Sequence, residues 1–243
     1  MIILFKNFIK SLLPSRNYYI ARYFYAKKIL DKKNLGGTII DIGAGVNGIS
    51  NNDNFIAFDI NIKNLKKNKN HIKCIGDAEN LPFKDAPFDI IISLDTIEYI
   101  KNVNNYFLHL YRCLKEDGII LLSIPFVQKE NYTFKILSNF VPKDAWDKDW
   151  YGACNFYRDI YDVPIMEKLF RVKEKKYYHK YFLKMYLMFE NIFPIILKNK
   201  VVRPFMRSLF VILDYYLIKS PNIFGGVVVL LEKRIDIENN CKE

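Results

Sequence analysis

Asp41, Gly43, Gly45 and Asp59 are spaced for holding a nucleotide-like cofactor. Residues 38–50 read Thr-Ile-Ile-Asp-Ile-Gly-Ala-Gly-Val-Asn-Gly-Ile-Ser, an apolar strand pattern that runs directly into a glycine-rich turn. Without a Cβ, Gly43 and Gly45 let the backbone turn sharply and let an adenosine-bearing ligand lie against it. A second apolar run, Phe55-Ile56-Ala57-Phe58, ends on Asp59, whose carboxylate would accept hydrogen bonds from both ribose hydroxyls. Glycine punctuates turns in every fold, so this turn gains meaning only from the segments beyond it.

These residues need strands that deliver them to one edge of a sheet. Apolar runs at about 38–42, 54–58, 72–75, 89–94 and 119–124 alternate with helical or loop segments. This is the βαβ rhythm of a parallel sheet with right-handed crossovers. Residues 17–33 read as a helix before the sheet, 163–170 as a later helix, 171–178 as a sixth strand and 222–234 as the final strand. Only fourteen residues separate Gly45 from Asp59, and Ser50-Asn51-Asn52-Asp53-Asn54 is turn chemistry, so the first crossover helix is expected to shrink to about a turn.

Two further segments carry a resemblance. One is Lys73-Cys74-Ile75-Gly76-Asp77-Ala78-Glu79-Asn80-Leu81-Pro82-Phe83; the other is Phe88-Asp89-Ile90-Ile91-Ile92-Ser93-Leu94-Asp95-Thr96-Ile97-Glu98-Tyr99-Ile100. With the glycine turn before them, they resemble the class I S-adenosylmethionine-dependent methyltransferases, in the methyltransferase type 11-like branch whose motifs read D-A-E-x-L-P-F and F-D-x-[VI]-x-x-x-x-x-[LI]-E-[HY]-[IV]. Leu110-Tyr111-Arg112-Cys113-Leu114-Lys115-Glu116-Asp117-Gly118 is similar to the helix and turn that precede the fifth strand there, so the resemblance spans about 36–126. A shorter likeness, Asn155-Phe156-Tyr157-Arg158-Asp159, is to a sub-branch linked with envelope-glycan and lipid-linked sugar synthesis.

The resemblance implies an α/β fold: a Rossmann-like, doubly wound, seven-stranded sheet whose last strand is antiparallel between strands five and six. A helical hairpin would be inserted at about 180–219. Residues 1–33 would form N-terminal helices and 34–243 the methyltransferase domain. The implied cofactor is S-adenosyl-L-methionine. Asp41 would reach its amino group, the amides of Gly43, Ala44 and Gly45 would face the methionine and ribose, and Asp59 would hold the ribose. Asp77 and Ala78 would meet the adenine, Ile60 or Phe83 would lie against the ring, and Ser93 and Leu94 would line the channel to the methyl group. The family's third glycine is replaced by Asn47, a residue tolerant of left-handed geometry, with Gly48 one place later.

No base is identified. Where many relatives carry His, this chain has Tyr99, whose ordinary pKa of about 10 suits it poorly for taking a proton at neutral pH. Glu98, Tyr99, Asp159 and His179 are the catalytic candidates. Tyr157 and Arg158 are the substrate candidates, Arg158 by bidentate hydrogen bonds to a carboxylate or phosphate.

The balance of 37 Lys+Arg against 26 Asp+Glu leaves a net charge of +11, which favours an anionic neighbour. Basic residues flank aromatic-rich segments at 181–197 and 201–218, a composition that suits an interfacial hairpin on anionic lipid, where each Lys or Arg adds about 1 kcal/mol. A helical cap over the sheet or a dimer contact would use the same pattern. Met1 to Leu13 reads as an amphipathic helix, too short to span a bilayer and without a cleavage site. The four cysteines lack metal spacing, the three histidines are scattered, and no metal is expected. Cys74 and Cys113 read as core residues of a buried strand and helix in a reducing cytoplasm, with peripheral placement at the inner face of the membrane as the further expectation.

The expected activity is methyl transfer to a small-molecule or lipid-linked acceptor, of glycan or isoprenoid type, at a membrane surface. Nucleic acid is disfavoured, because Ser93-Leu94-Asp95-Thr96 stands where base-methylating enzymes carry [DNS]-P-P-[FYW]. A non-catalytic methyltransferase-like scaffold and an RNA methyltransferase are the alternatives.

Overall fold

The computed structural model describes residues 21–33, 37–46, 54–70, 72–126, 155, 157, 160–178, 202–217 and 226–234. Most of the expected first crossover, the N-terminal helix at 1–13, residues 180–201 and 218–219 of the expected hairpin, and Asn47, Gly48, Arg158, Asp159 and His179 lie outside them.

Seven strands form one sheet: β1 (Ile39–Ile42), β2 (Phe55–Asp59), β3 (Ile72–Ile75), β4 (Phe88–Ser93), β5 (Leu114–Pro125), β6 (Phe170–Tyr178) and β7 (Gly226–Lys233). Their order is β3-β2-β1-β4-β5-β7-β6. β1 to β5 pair in parallel, with Ile42 beside Phe58, Asp59 beside Ile75 and Ser93 beside Leu122. β7 pairs antiparallel with β5 over Ile119 to Pro125, between β5 and β6 as expected. Parallel strands need covered faces. Accordingly β1 and the later part of β5 are buried throughout, and so are the first six residues of β7.

β3 departs from the buried strand expected at Cys74. It is the edge strand, Ile72 and Ile75 are exposed, and Cys74 is only half-buried, because an edge strand has a neighbour on one side alone. β5 begins earlier than expected. Leu114 pairs with Phe88, the register then jumps to Ile119 beside Ile90, and the intervening residues bulge.

Five helices occur among the described residues: α1 (Ala21–Lys33), α2 (Ile62–Lys67), α3 (Val103–Cys113), α4 (Pro164–Leu169) and α5 (Val202–Leu217). The side chain of Asn61 caps α2 by accepting from the Lys63 and Asn64 amides, and Asn102 caps α3 by accepting from Asn105. α3 buries Tyr106, Phe107, Leu110 and Cys113, one helical stripe. Burial raises the Cys113 thiol pKa. Contacts divide the chain into two compact units. One comprises Ala26–Phe126, Gly152–Lys176 and Gly226–Glu243, and the other Met1–Tyr25, Val127–Tyr151 and Tyr177–Gly225.

Candidate active site

Parallel pairing brings the carboxyl ends of β1, β2, β3, β4 and β5 to one edge, and the strand order reverses between β1 and β4. In open α/β sheets that reversal is where ligands bind. The turn after β1 and the segment after β4 stand on either side of it.

The turn after β1 is anchored from several directions. Gly43 and Gly45 have φ of +72° and +54°, a region glycine enters without penalty. The Gly43 and Ala44 amides both donate to the Phe58 carbonyl, at 2.8 and 3.1 Å, and the Gly45 amide donates to Asp59 Oδ2 at 2.8 Å. All three N–H groups are therefore committed to β2. What they offer a ligand is a glycine backbone surface rather than free donors. Thr96 closes the turn from the β4 side, donating from Oγ1 to the Ile42 carbonyl at 3.1 Å. Asp41 is buried in β1 beneath the turn.

Asp59 accepts from Gly45 and, through Oδ1, from the Asn61 amide at 2.7 Å. Each carboxylate oxygen can accept twice, so the group retains capacity for two hydroxyls. Ile60 beside it is 69% exposed, an apolar side chain presented at the sheet edge. Phe83 is placed differently: it is half-buried, and its ring packs edge-on against Phe58 and Phe88, with centroids 5.6 and 4.9 Å away. Of the two side chains considered for stacking, Ile60 has the open face.

Asp77 is exposed, and its Oδ1 accepts from the Glu79 amide at 2.9 Å, shaping the loop after β3; Ala78 is half-buried there. Glu79 accepts from the Lys101 and Asn102 amides at 2.8 and 3.0 Å, while its carbonyl accepts from Asn105 Nδ2. Arg112 on α3 donates to the Leu81 and Phe83 carbonyls, so two side chains fasten the same loop to α3. Sequence reasoning assigned Glu79 and Arg112 no function. The Asp-Ala-Glu triplet carried the signal for Glu79, whereas Arg112 had none, because its partners lie about thirty positions upstream.

Ser93 and Leu94 are both buried. The Ser93 hydroxyl accepts from Tyr106 at 2.6 Å and so belongs to the core of α3 and β4. Burial pushes the Tyr106 phenol far above its ordinary pKa, with Glu98 and Tyr157 adding to the shift, and the phenol stays a proton donor. The next residue, Asp95, adopts φ +55°, rare outside glycine. Its amide donates to Ser123 Oγ at 2.8 Å, and that hydroxyl lies 3.2 Å from Asp95 Oδ1. Sequence inspection gave Asp95 no role, since left-handed geometry at an Asp carries no local signature.

The catalytic candidates separate. Glu98, in the 3₁₀ turn Ile97–Tyr99, is 4% exposed, whereas Tyr99 is 39% exposed. Asn155 ties that turn, its amide donating to the Glu98 carbonyl and its side chain to Ile97 and Ile100. Tyr157 is buried and bridges in parallel to Phe126. No cluster of three or more potential metal ligands occurs among the described residues.

Residues 40–122 match a family model described as a methyltransferase domain. Among curated relatives, the ubiquinone biosynthesis O-methyltransferase of Rickettsia bellii is 28% identical over a match covering 45% of this chain and 52% of that protein. The chain spans about half or less of the length of the curated relatives it matches. In fold it is similar to an S-adenosylmethionine-dependent methyltransferase of Thermotoga maritima, with 16% identity, 96% of each chain covered and a TM-score of 0.58. It is also similar to phosphoethanolamine N-methyltransferase 2 of Haemonchus contortus in complex with S-adenosyl-L-methionine, with 17% identity, 86% and 52% covered and a TM-score of 0.52. Over residues 40–122 the chain is thus similar in sequence to methyltransferase domains, and its seven-stranded sheet has the fold of S-adenosylmethionine-dependent methyltransferase structures.

Proposed function

We propose that the protein transfers the methyl group of S-adenosylmethionine to a small-molecule or lipid-linked acceptor at a membrane surface. The observation that carries the cofactor half is Asp59, held by two backbone amides beside the glycine turn, with acceptor capacity left over and Ile60 exposed next to it. Asp59 would take the ribose hydroxyls, Ile60 the adenine face, Asp77 the exocyclic amine, and the buried Asp41 would orient the turn beneath the methionine.

When bound, the cofactor supplies an electrophilic methyl group on a sulfonium. The protein's share of an in-line displacement is then alignment and exclusion of water. Asp95, on the edge after β4 and fixed by Ser123, is placed to accept a proton or a hydrogen bond from the acceptor's nucleophile; Glu98, Tyr99, Asp159 and His179 are the other candidates. Tyr157 and Arg158 remain the proposed acceptor contacts.

The acceptor half rests on other observations. The name of the Rickettsia relative, an O-methyltransferase of ubiquinone biosynthesis, supports an oxygen nucleophile on the acceptor. On α5, Phe205, Leu209 and Tyr216 are exposed, apolar surface of the kind an interfacial helix presents. No helix among the described residues is long and apolar enough to cross a membrane.

Calorimetric titration with S-adenosylhomocysteine tests the cofactor. Saturable binding is expected, and a silent titration would favour the scaffold reading. Flotation with anionic liposomes at low and high salt tests the surface: co-flotation that salt reverses is expected. Protein that stays at the bottom of the gradient, with Lys180→Glu, Lys184→Glu and Lys198→Glu changing nothing, would favour a water-soluble acceptor.

A further inference from the structure

The N–H side of the glycine turn is tied to β2, but the carbonyl side is held from elsewhere. Asn68, the residue that ends α2, donates from Nδ2 to the Gly45 carbonyl at 3.0 Å and to the Ala44 carbonyl at 3.5 Å. Asn68 is itself fixed. It is 3% exposed, its backbone N–H donates to the Asn64 and Leu65 carbonyls at 3.0 and 3.1 Å, and its Oδ1 accepts from the Asn70 amide at 2.9 Å. Leu65, from the last turn of α2, packs with Ala44 and Ala57 in one buried cluster. The side chain therefore has one orientation in which both ends are satisfied: oxygen toward Asn70, nitrogen toward the turn.

Gly45 needs such a brace. At φ +54° it has no Cβ to restrict it, and the peptide after it can rotate at little cost unless its carbonyl is pinned. A rotated peptide would move the backbone surface beside Asp59, where a ribose would lie. We infer that Asn68 is a positioning residue for cofactor binding, which pins the Gly45 carbonyl so that the glycine turn keeps one conformation before a ligand arrives. The inference rests on the proposed binding of S-adenosylmethionine at this turn. It adds a residue twenty-three positions beyond the turn, outside the glycine motif and outside every acid assigned to the ligand.

The test uses N68D and N68A in the full chain. Aspartate keeps the oxygen that accepts from Asn70 and keeps the shape, but places an acceptor against two carbonyls. Burial beside those carbonyls raises its pKa, and its protonated form regains a donor. Calorimetric affinity for S-adenosylhomocysteine is expected to fall about tenfold in both variants at pH 8. N68D is expected to recover at least threefold of that loss, relative to the wild type, as the pH falls to about 5.5, while N68A does not. Loss of packing alone would not produce a recovery that depends on protonating residue 68. In the unliganded protein, faster hydrogen exchange at the Gly45 amide in N68D than in the wild type reads the same loosening without any ligand.

If the wild type binds, and both variants bind within twofold of it with Gly45 exchange unchanged, the role of Asn68 is overturned and the cofactor reading stands. If the wild type does not bind, the cofactor reading is overturned and the positioning role falls with it. In that case Gly45 exchange reports only whether Asn68 braces the turn.

Discussion

Thr96 Oγ1 occupies the space that a Cβ on Gly43 would need, while the same oxygen donates to the Ile42 carbonyl. The glycine of the first motif is thus required by a side chain that lies more than fifty residues downstream, before any ligand is considered. Gly43→Ala would add both this collision and a strained φ of +72°. It is expected to destabilise the protein by about 2–3 kcal/mol in urea unfolding. In the double variant with Thr96→Ala the two effects are expected to be less than additive by about 1 kcal/mol. Strict additivity would show that the two sites do not meet.

Asp59→Ala removes the acceptor for two backbone amides and for the proposed ribose hydroxyls. Affinity for S-adenosylmethionine is expected to drop at least about tenfold by calorimetry. Unchanged affinity, with circular dichroism matching the wild type, would remove Asp59 from the ribose site.

Glu79 holds the backbone between the 3₁₀ turn and α3 through two amides. Glu79→Ala leaves both to solvent and loosens the join between the loop carrying Asp77 and the turn carrying Glu98. A loss of about 1–2 kcal/mol is expected. Exchange at the Lys101 and Asn102 amides should quicken well before global unfolding, and protection equal to the wild type would refute the assignment.

Asp89 clamps the opposite end of the sheet. Its carboxylate takes Lys115 Nζ at 2.8 and 2.9 Å and the Thr38 amide at 2.8 Å. The hydrogen bond from Lys115 is the main cause that lowers its pKa, with partial burial opposing. A depressed carboxyl pKa stabilises the fold above the unfolded value, about 4, and that share is lost as pH falls through the folded value. Asp89→Asn should therefore cost stability at pH 7, and its difference from the wild type should shrink below about pH 4. A difference that stays constant from pH 7 to pH 3 would show that the ion pair contributes nothing; with the carboxylate about one-third exposed, the effect is expected to be modest.

The sheet is legible in the sequence because its evidence is local. Period and apolar runs mark β1, β2, β4 and β7, the Gly-x-Gly turn marks the crossing point, and the two motif acids fall where β2 ends, at Asp59, and in the loop just after β3, at Asp77. The exposure of β3 is not legible, because an apolar run says nothing about whether a strand has a neighbour on each side, and Cys74 lies on an edge. Ser93 and Phe83 read as cofactor-facing by motif position, yet one hydroxyl is taken by Tyr106 and one ring by Phe58 and Phe88. Those choices depend on which elements pack together.

Sequence by itself determined which residues can turn the chain and which can carry charge at strand ends, since both follow from backbone freedom and side-chain chemistry. Only the tertiary structure decided that Thr96 closes the turn, that Asn68 pins it, that Ser123 fixes Asp95 and that Glu98 is buried while Tyr99 is exposed. Each of these joins residues far apart in the chain, and what brings them together is the burial of the sheet and helix faces rather than anything in their own vicinity.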